Sequence, residues 1–171
     1  LLILRNYIKS LREFKMKSKY TQTKLASYIG YIVQAIINNF LPILFIAFQD
    51  VYGLSYEKLA RLIVFNFVTQ MITDLITPKI VNVTGYKKAS VLAHFCASLG
   101  LLMLSILPSV MKSSYLAIII SIIVYAFGSG LIEVIISPII ENLPTDNKKS
   151  NMAFLHSFYC WGRKYVKTKR Y

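Results

Sequence analysis

Four long runs of apolar residues alternate along the chain with short charged stretches. The first extends from about Leu25 to Phe48 without a charged residue and contains Pro42. The second extends from about Leu62 to Val83 and carries Asp74, Pro78 and Lys79. The third covers about Ala89 to Leu107 and is closed by Pro108, and the fourth, about Tyr115 to Ile140, holds Gly128, Gly130, Glu133 and Pro138. About 30 Å of hydrocarbon needs a helix of roughly 20 residues, and each run is long enough. A fifth apolar segment begins near Asn151 and gives way after Gly162 to a basic stretch, residues 163–171. Its eleven or so apolar residues are too few to span a bilayer alone. The pattern predicts an all-α transmembrane chain with helices over 25–48, 62–83, 89–107 and 115–140, a partial helix over 151–162, a basic leading segment over 1–24 and a basic tail over 163–171.

Composition strengthens this reading. Hydrophobic residues make up 56% of the chain and charged residues only 16%, where a soluble domain carries about a quarter. The formal net charge of +13 would suggest nucleic acid in a soluble protein. Here the charge sits in the chain ends and short loops, so a bilayer accounts for it and no nucleic-acid partner is expected. Lys and Arg in short flanking segments mark the cytoplasmic side. Residues 5–24 hold seven of them, the stretch 79–88 holds Lys79, Lys87 and Lys88, and 148–149 adds two more, while the intervening flanks hold Lys58 and Arg61, beside Asp50 and Glu57, and Lys112 alone. The N-terminus and the connections after the second and fourth runs are therefore expected in the cytoplasm of a multi-pass plasma-membrane protein. The run after residue 24 is too long for a signal-peptide core. Met16 begins a natural-looking start, so residues 1–15 read as upstream translation or a fragment edge.

Ionisable and amide groups inside spanning helices are functional candidates because they are costly in lipid. Asp74 and Glu133 are expected to face the interior of the bundle in one layer. Gln70, Thr73, Asp74 and Thr77 share one stripe of the second helix. Interhelical hydrogen bonding and a cavity wall near a cytoplasmic gate both fit that stripe. Gln34 and Asn38 form an i, i+4 pair in the first helix, suited to a polyhydroxylated solute or to holding helices together. Gly128-Ser129-Gly130 reads as close helix packing. His94 reads as an interfacial histidine, whereas His156 enters the membrane on the fifth segment, where it could approach Glu133 as a proton carrier or stand as a structural residue. Cys96 and Cys160 read as packing residues. No phosphate loop, His-Glu-x-x-His motif or cysteine pair is present, so neither an enzyme nor a metal or other cofactor is expected.

The stretch Pro78-Lys79-Ile80-Val81-Asn82-Val83-Thr84-Gly85-Tyr86-Lys87-Lys88 resembles the loop marker of the major facilitator superfamily, Gly-x-x-x-Asp-Arg-x-Gly-Arg-Lys. Gly85 and the basic pair match, while Pro78, Asn82 and Val83 replace the first glycine, the aspartate and the arginine. Phe127-Gly128-Ser129-Gly130-Leu131-Ile132-Glu133, Ser137-Pro138-Ile139-Ile140-Glu141 and Leu155-His156-Ser157-Phe158-Tyr159-Cys160-Trp161-Gly162 look like the fucose-permease-like and sugar-permease-like branch. The resemblance covers residues 25–162. It implies the first four helices and the start of the fifth of an N-terminal six-helix bundle, within a twelve-helix fold whose substrate site lies between two halves. Asn82, Gly85, Lys87 and Lys88 would form the gating loop.

The expected activity is secondary transport of a small polar solute such as a sugar, with proton symport, by alternating access. Gln34, Asn38, Gln70, Asp74, Glu133 and His156 would line the substrate or proton pathway. The C-terminal half of the transporter is the expected partner, missing here through a truncation or frameshift after Gly162. The competing expectation is a truncated membrane fragment, or a helix-packing subunit, without transport activity.

Overall fold

The computed structural model describes residues 2–144 and 147–168, the side chains near both chain ends excepted. Four helices follow one another: α1 (Leu2–Tyr52), α2 (Tyr56–Val110), α3 (Ser114–Glu141) and α4 (Lys148–Thr168). The first three are long and apolar enough to cross a membrane. Hydrocarbon offers the backbone no hydrogen-bond partners, so an apolar run of this length satisfies its amides internally as a helix. Pro42, Pro78, Pro108 and Pro138 all lie inside helices, as spanning helices tolerate where neighbours and local adjustments satisfy the freed carbonyls.

The boundaries differ from the expected ones at three places. The basic segment 1–24 is not separate: from Leu2 onward it forms the leading part of α1. No glycine or proline occurs before Gly30, and Lys, Arg and Leu are good helix formers, so nothing interrupts it. The fifth segment starts three residues earlier than expected and continues past Gly162 to Thr168. It thus absorbs part of the predicted tail, of which residues 169–171 lie outside the described residues. The third difference is the connection after the second apolar run, expected over residues 82–88. It is reduced to Gly85, at φ 77° and ψ 159°, with helix on both sides. That backbone region is open essentially to glycine alone.

α2 is thus two arms, 56–84 and 86–110, and the chain reverses between them. Thr73 on the first arm packs against Gly130 of α3, and Ala93 and Ala97 on the second pack against Gly128. Thr73 and Ala97 lie equally far from Gly85 along the chain and meet α3 at the same height, so the arms fold back on one another. All four expected segments are therefore helical, two of them within one broken helix. Between arm two and α3 the turn is short. Ser113 caps α3 by accepting the Leu116 amide at 3.4 Å.

α3 is the central element. Ala117, Ile118, Ile122, Ala126, Leu131 and Ile140 are fully buried, and its most extensive packing is with α2. Small residues set this approach: Ala89, Ala93, Ala97 and Gly100 recur at helical spacing along arm two and all are buried. A β-carbon placed on Gly100 would fall 2.3 Å from the Tyr125 amide nitrogen, and one on Gly128 would fall 2.3 Å from that of Ala97. Association in lipid relies on such backbone proximity because no hydrophobic effect drives apolar helices together. On its other side α1 packs against α3 and α4. Tyr28 stacks on Phe158 at 5.0 Å and Tyr31 on Tyr159 at 5.5 Å, and buried Leu155 and Asn151 complete the α4 contact.

Candidate functional site

Three segments bring polar side chains together between α1, the first arm of α2 and α3. The Gln34 amide nitrogen donates to one Glu133 carboxylate oxygen at 2.7 Å. Asn38, one turn further along α1, donates to the same oxygen in a longer contact of 3.5 Å. The Asn38 carbonyl oxygen in turn accepts from Gln70 at 3.0 Å and from the Ser129 hydroxyl at 2.6 Å. Asn38 is the hub: it contacts both α2 and α3 and uses donor and acceptor at once. Counted at 1.5 Å per residue from the basic ends of their segments, the five residues lie roughly 12–22 Å deep. Hydrogen bonds between spanning helices contribute about 0.6–2 kcal/mol each, so the cluster also joins α1 to a pair of elements it otherwise touches little on the α2 side.

Exposure separates the members. Gln34 is completely buried, and its side-chain oxygen has no hydrogen-bond partner. Glu133 is exposed along the rest of its side chain, at the open edge of the helix group. Asp74 is also exposed, and among the described residues no hydrogen bond holds it. Both carboxylates are exposed in this group of helices, on the side that leads to the first arm of α2 and α3. On α2 the cause is the threonines. Thr73 and Thr77 are each 1% exposed; they occupy the face packed on α3, and Asp74, one residue further round the helix, is turned off it. Their hydroxyls donate to the carbonyls of Thr69 and Thr73, four residues back. Of the expected stripe, therefore, only Gln70 joins the network.

His156 is not in contact with Glu133. Its exposed ring meets Tyr31 edge-on, with centroids 5.9 Å apart. Tyr31, buried and about one turn before Gln34, stands beside the histidine on the same helix as the network's amides. His94 donates from Nδ1 to the Ser90 carbonyl at 2.8 Å and lies against Gly30, one turn before Gln34, without joining the cluster's hydrogen bonds. Asn82, Gly85, Lys87 and Lys88 surround the reversal in α2 and are exposed. Among the described residues neither lysine makes an ion pair. Cys96 borders an apolar cavity of about 570 Å³ between the two arms of α2 and α3, walled mainly by Phe65, Ile72, Ile123 and Phe127.

Sequence reasoning missed Ser129 and Tyr31. Ser129 had been read as part of a packing glycine pair. The available signal was its spacing of one turn from Glu133, which repeats the one-turn spacing of Gln34 and Asn38. Comparison of the chain with family models, with curated proteins and with solved structures finds no match. Function therefore has to be argued from the residues themselves.

Proposed function

We propose that the chain forms the N-terminal part of a secondary transporter of the major facilitator type, moving a small polyhydroxylated solute such as a sugar together with protons. The observation that carries this reading is the mid-depth network of Gln34, Asn38, Gln70, Ser129 and Glu133, with its carboxylate at an open edge. A purely structural network in lipid would be expected to close on itself, because unsatisfied polar groups are costly there. An edge bearing two carboxylates is instead suited to a water-filled cavity facing a second helical half, the place where such transporters hold their substrates. Amides offer both donors and acceptors to solute hydroxyls.

Glu133 and Gln34 also suit proton loading. When the carboxylate is ionised, the amide nitrogen donates to it. When it is protonated, rotation of the Gln34 amide presents the oxygen that now lacks a partner to the new hydroxyl. A hydrogen bond is kept in both states, so a proton is exchanged without breaking the contact between α1 and α3. In cells carrying the full-length transporter, addition of the transported sugar should alkalinise the medium as protons enter with it. Sugar uptake with no proton movement would remove the coupling, and no uptake across a panel of monosaccharides and polyols would remove the solute class.

The same reading places the protein in the plasma membrane with its N-terminus and Gly85 turn in the cytoplasm, on the distribution of Lys and Arg. A single cysteine introduced by Lys88→Cys should react with a membrane-impermeant maleimide only after cells are permeabilised. Labelling from outside intact cells would invert the topology.

A further inference from the structure

A groove of about 890 Å³ opens between the start of the spanning part of α1, the beginning of the second arm of α2 and the last turns of α3. Lys19, Tyr86 and Lys87 line it together with the apolar side chains of Ala26, Val91 and Ile139. From Lys19 to Ala26 is about 10 Å along the helix, so the groove passes from a cationic mouth to an apolar interior over the depth of a membrane interface. His94 and Ile136 also line it, and both lie against α1 at Gly30, where a β-carbon would stand 3.0 Å from Ile136 Cδ1 and in ordinary contact with His94 Nε2. The hydroxyls of Thr23 and Ser27 are turned back onto their own helix, donating to the carbonyls of Lys19 and Thr23. The cationic donors among the lining residues are the ammonium groups of Lys19 and Lys87, beside the neutral donors of Gln22, Tyr86 and Ser90. Neither lysine has a carboxylate partner among the described residues.

We propose that this groove binds an anionic phospholipid, its phosphate held between Lys19 and Lys87 and an acyl chain laid along Ala26, Val91 and Ile139. Charge and polarity both select this occupant. A free anion would leave the apolar wall uncovered, and a zwitterionic lipid brings its own cation to the two lysines. The leading part of α1 supports the choice: residues 5–17 add five more Lys and Arg in the helix that approaches the mouth, and basic clusters at the end of a spanning helix attract anionic headgroups. The proposal rests on membrane insertion and not on transport.

The chain reconstituted in nanodiscs of phosphatidylcholine with a minority of phosphatidylglycerol, then released for native mass spectrometry, tests it. The wild type should retain phosphatidylglycerol in preference to phosphatidylcholine of the same chain length. Lys19→Gln with Lys87→Gln should lose that preference, by about fivefold for each lysine. Lys58→Gln with Lys112→Gln, at the opposite ends of the segments, should keep it. Lys19→Arg with Lys87→Arg should also keep it, which separates loss of charge from loss of fold, and unchanged helical circular dichroism confirms that the glutamine variant is intact. Equal retention of both lipids by the wild type, or an unaltered preference in the glutamine variant, would overturn the proposal. So would displacement of phosphatidylglycerol by millimolar inorganic phosphate, since the site would then bind a free anion without needing the chain.

Discussion

Gly128→Ala should loosen the packing of α3 on α2 despite making α3 a better helix. The two effects have opposite signs. Alanine in place of glycine inside a helix gains roughly 1 kcal/mol of helix propensity. Against this, the new β-carbon would stand 2.3 Å from the Ala97 nitrogen and 2.6 Å from the Ala93 carbonyl oxygen. Both are backbone atoms, so no side-chain rotation relieves the overlap and the helices have to separate. Overpacking of this kind costs typically 1–3 kcal/mol, sometimes more, and a contact held by close approach loses much of its dispersion along the whole seam. A net destabilisation of about 1–2 kcal/mol is expected, a factor of about five to thirty in the ratio of folded to unfolded chain. Denaturation with SDS in mixed micelles should show it as a lowered midpoint. Gly100→Ala should behave in the same way against Tyr125, and Ser98→Ala, on the exposed side of the same arm, should be near neutral. A raised midpoint for Gly128→Ala would mean that propensity wins and that the helices do not approach so closely.

The same seam shows what the sequence can and cannot specify. Uninterrupted apolar runs are legible because lipid leaves the backbone one main option, and the helices appear where the runs do. Small residues at Ala93, Ala97, Gly100 and Gly128 are equally visible. Which of them meet is not, since the register between helices depends on how the chain reverses at Gly85, and one residue in a glycine-only conformation achieves what several loop residues were expected to do. Polar residues in apolar runs mark the cluster one at a time: Gln34, Asn38, Gln70 and Glu133 stand out against their neighbours. Their partners do not. Assigning Gln70, Thr73, Asp74 and Thr77 to a single polar face ignored that threonine hydroxyls can satisfy themselves on their own helix. Thr73 and Thr77 then pack like small apolar residues and displace Asp74 from that face. For His156 the sequence leaves both an approach to Glu133 and a structural place open, and its ring meets Tyr31, an aromatic indistinguishable in sequence from the many that pack.

Glu133→Gln should abolish proton-driven accumulation in the full-length transporter while sparing exchange of solute across the membrane. Glutamine has nearly the shape of glutamate, and its carbonyl oxygen can accept from Gln34 at the position where the carboxylate accepts at 2.7 Å. The α1–α3 contact is therefore retained, and Asn38 keeps its bonds to Gln70 and Ser129. What is removed is titration. One pH unit across the membrane is worth about 1.4 kcal/mol per proton, so a carrier coupled to one proton concentrates its solute about tenfold when the outside is one unit more acidic. The variant should reach equal concentrations on both sides, whatever the pH difference. Counterflow, in which internal unlabelled solute drives entry of labelled solute without net proton movement, should persist, because the binding groups other than Glu133 remain. Loss of both activities in a correctly folded variant would make the carboxylate a ligand for the solute's hydroxyls rather than a proton carrier. Undiminished accumulation with the wild-type response to pH would leave Glu133 only its hydrogen bond to Gln34, a contact between helices with no part in coupling.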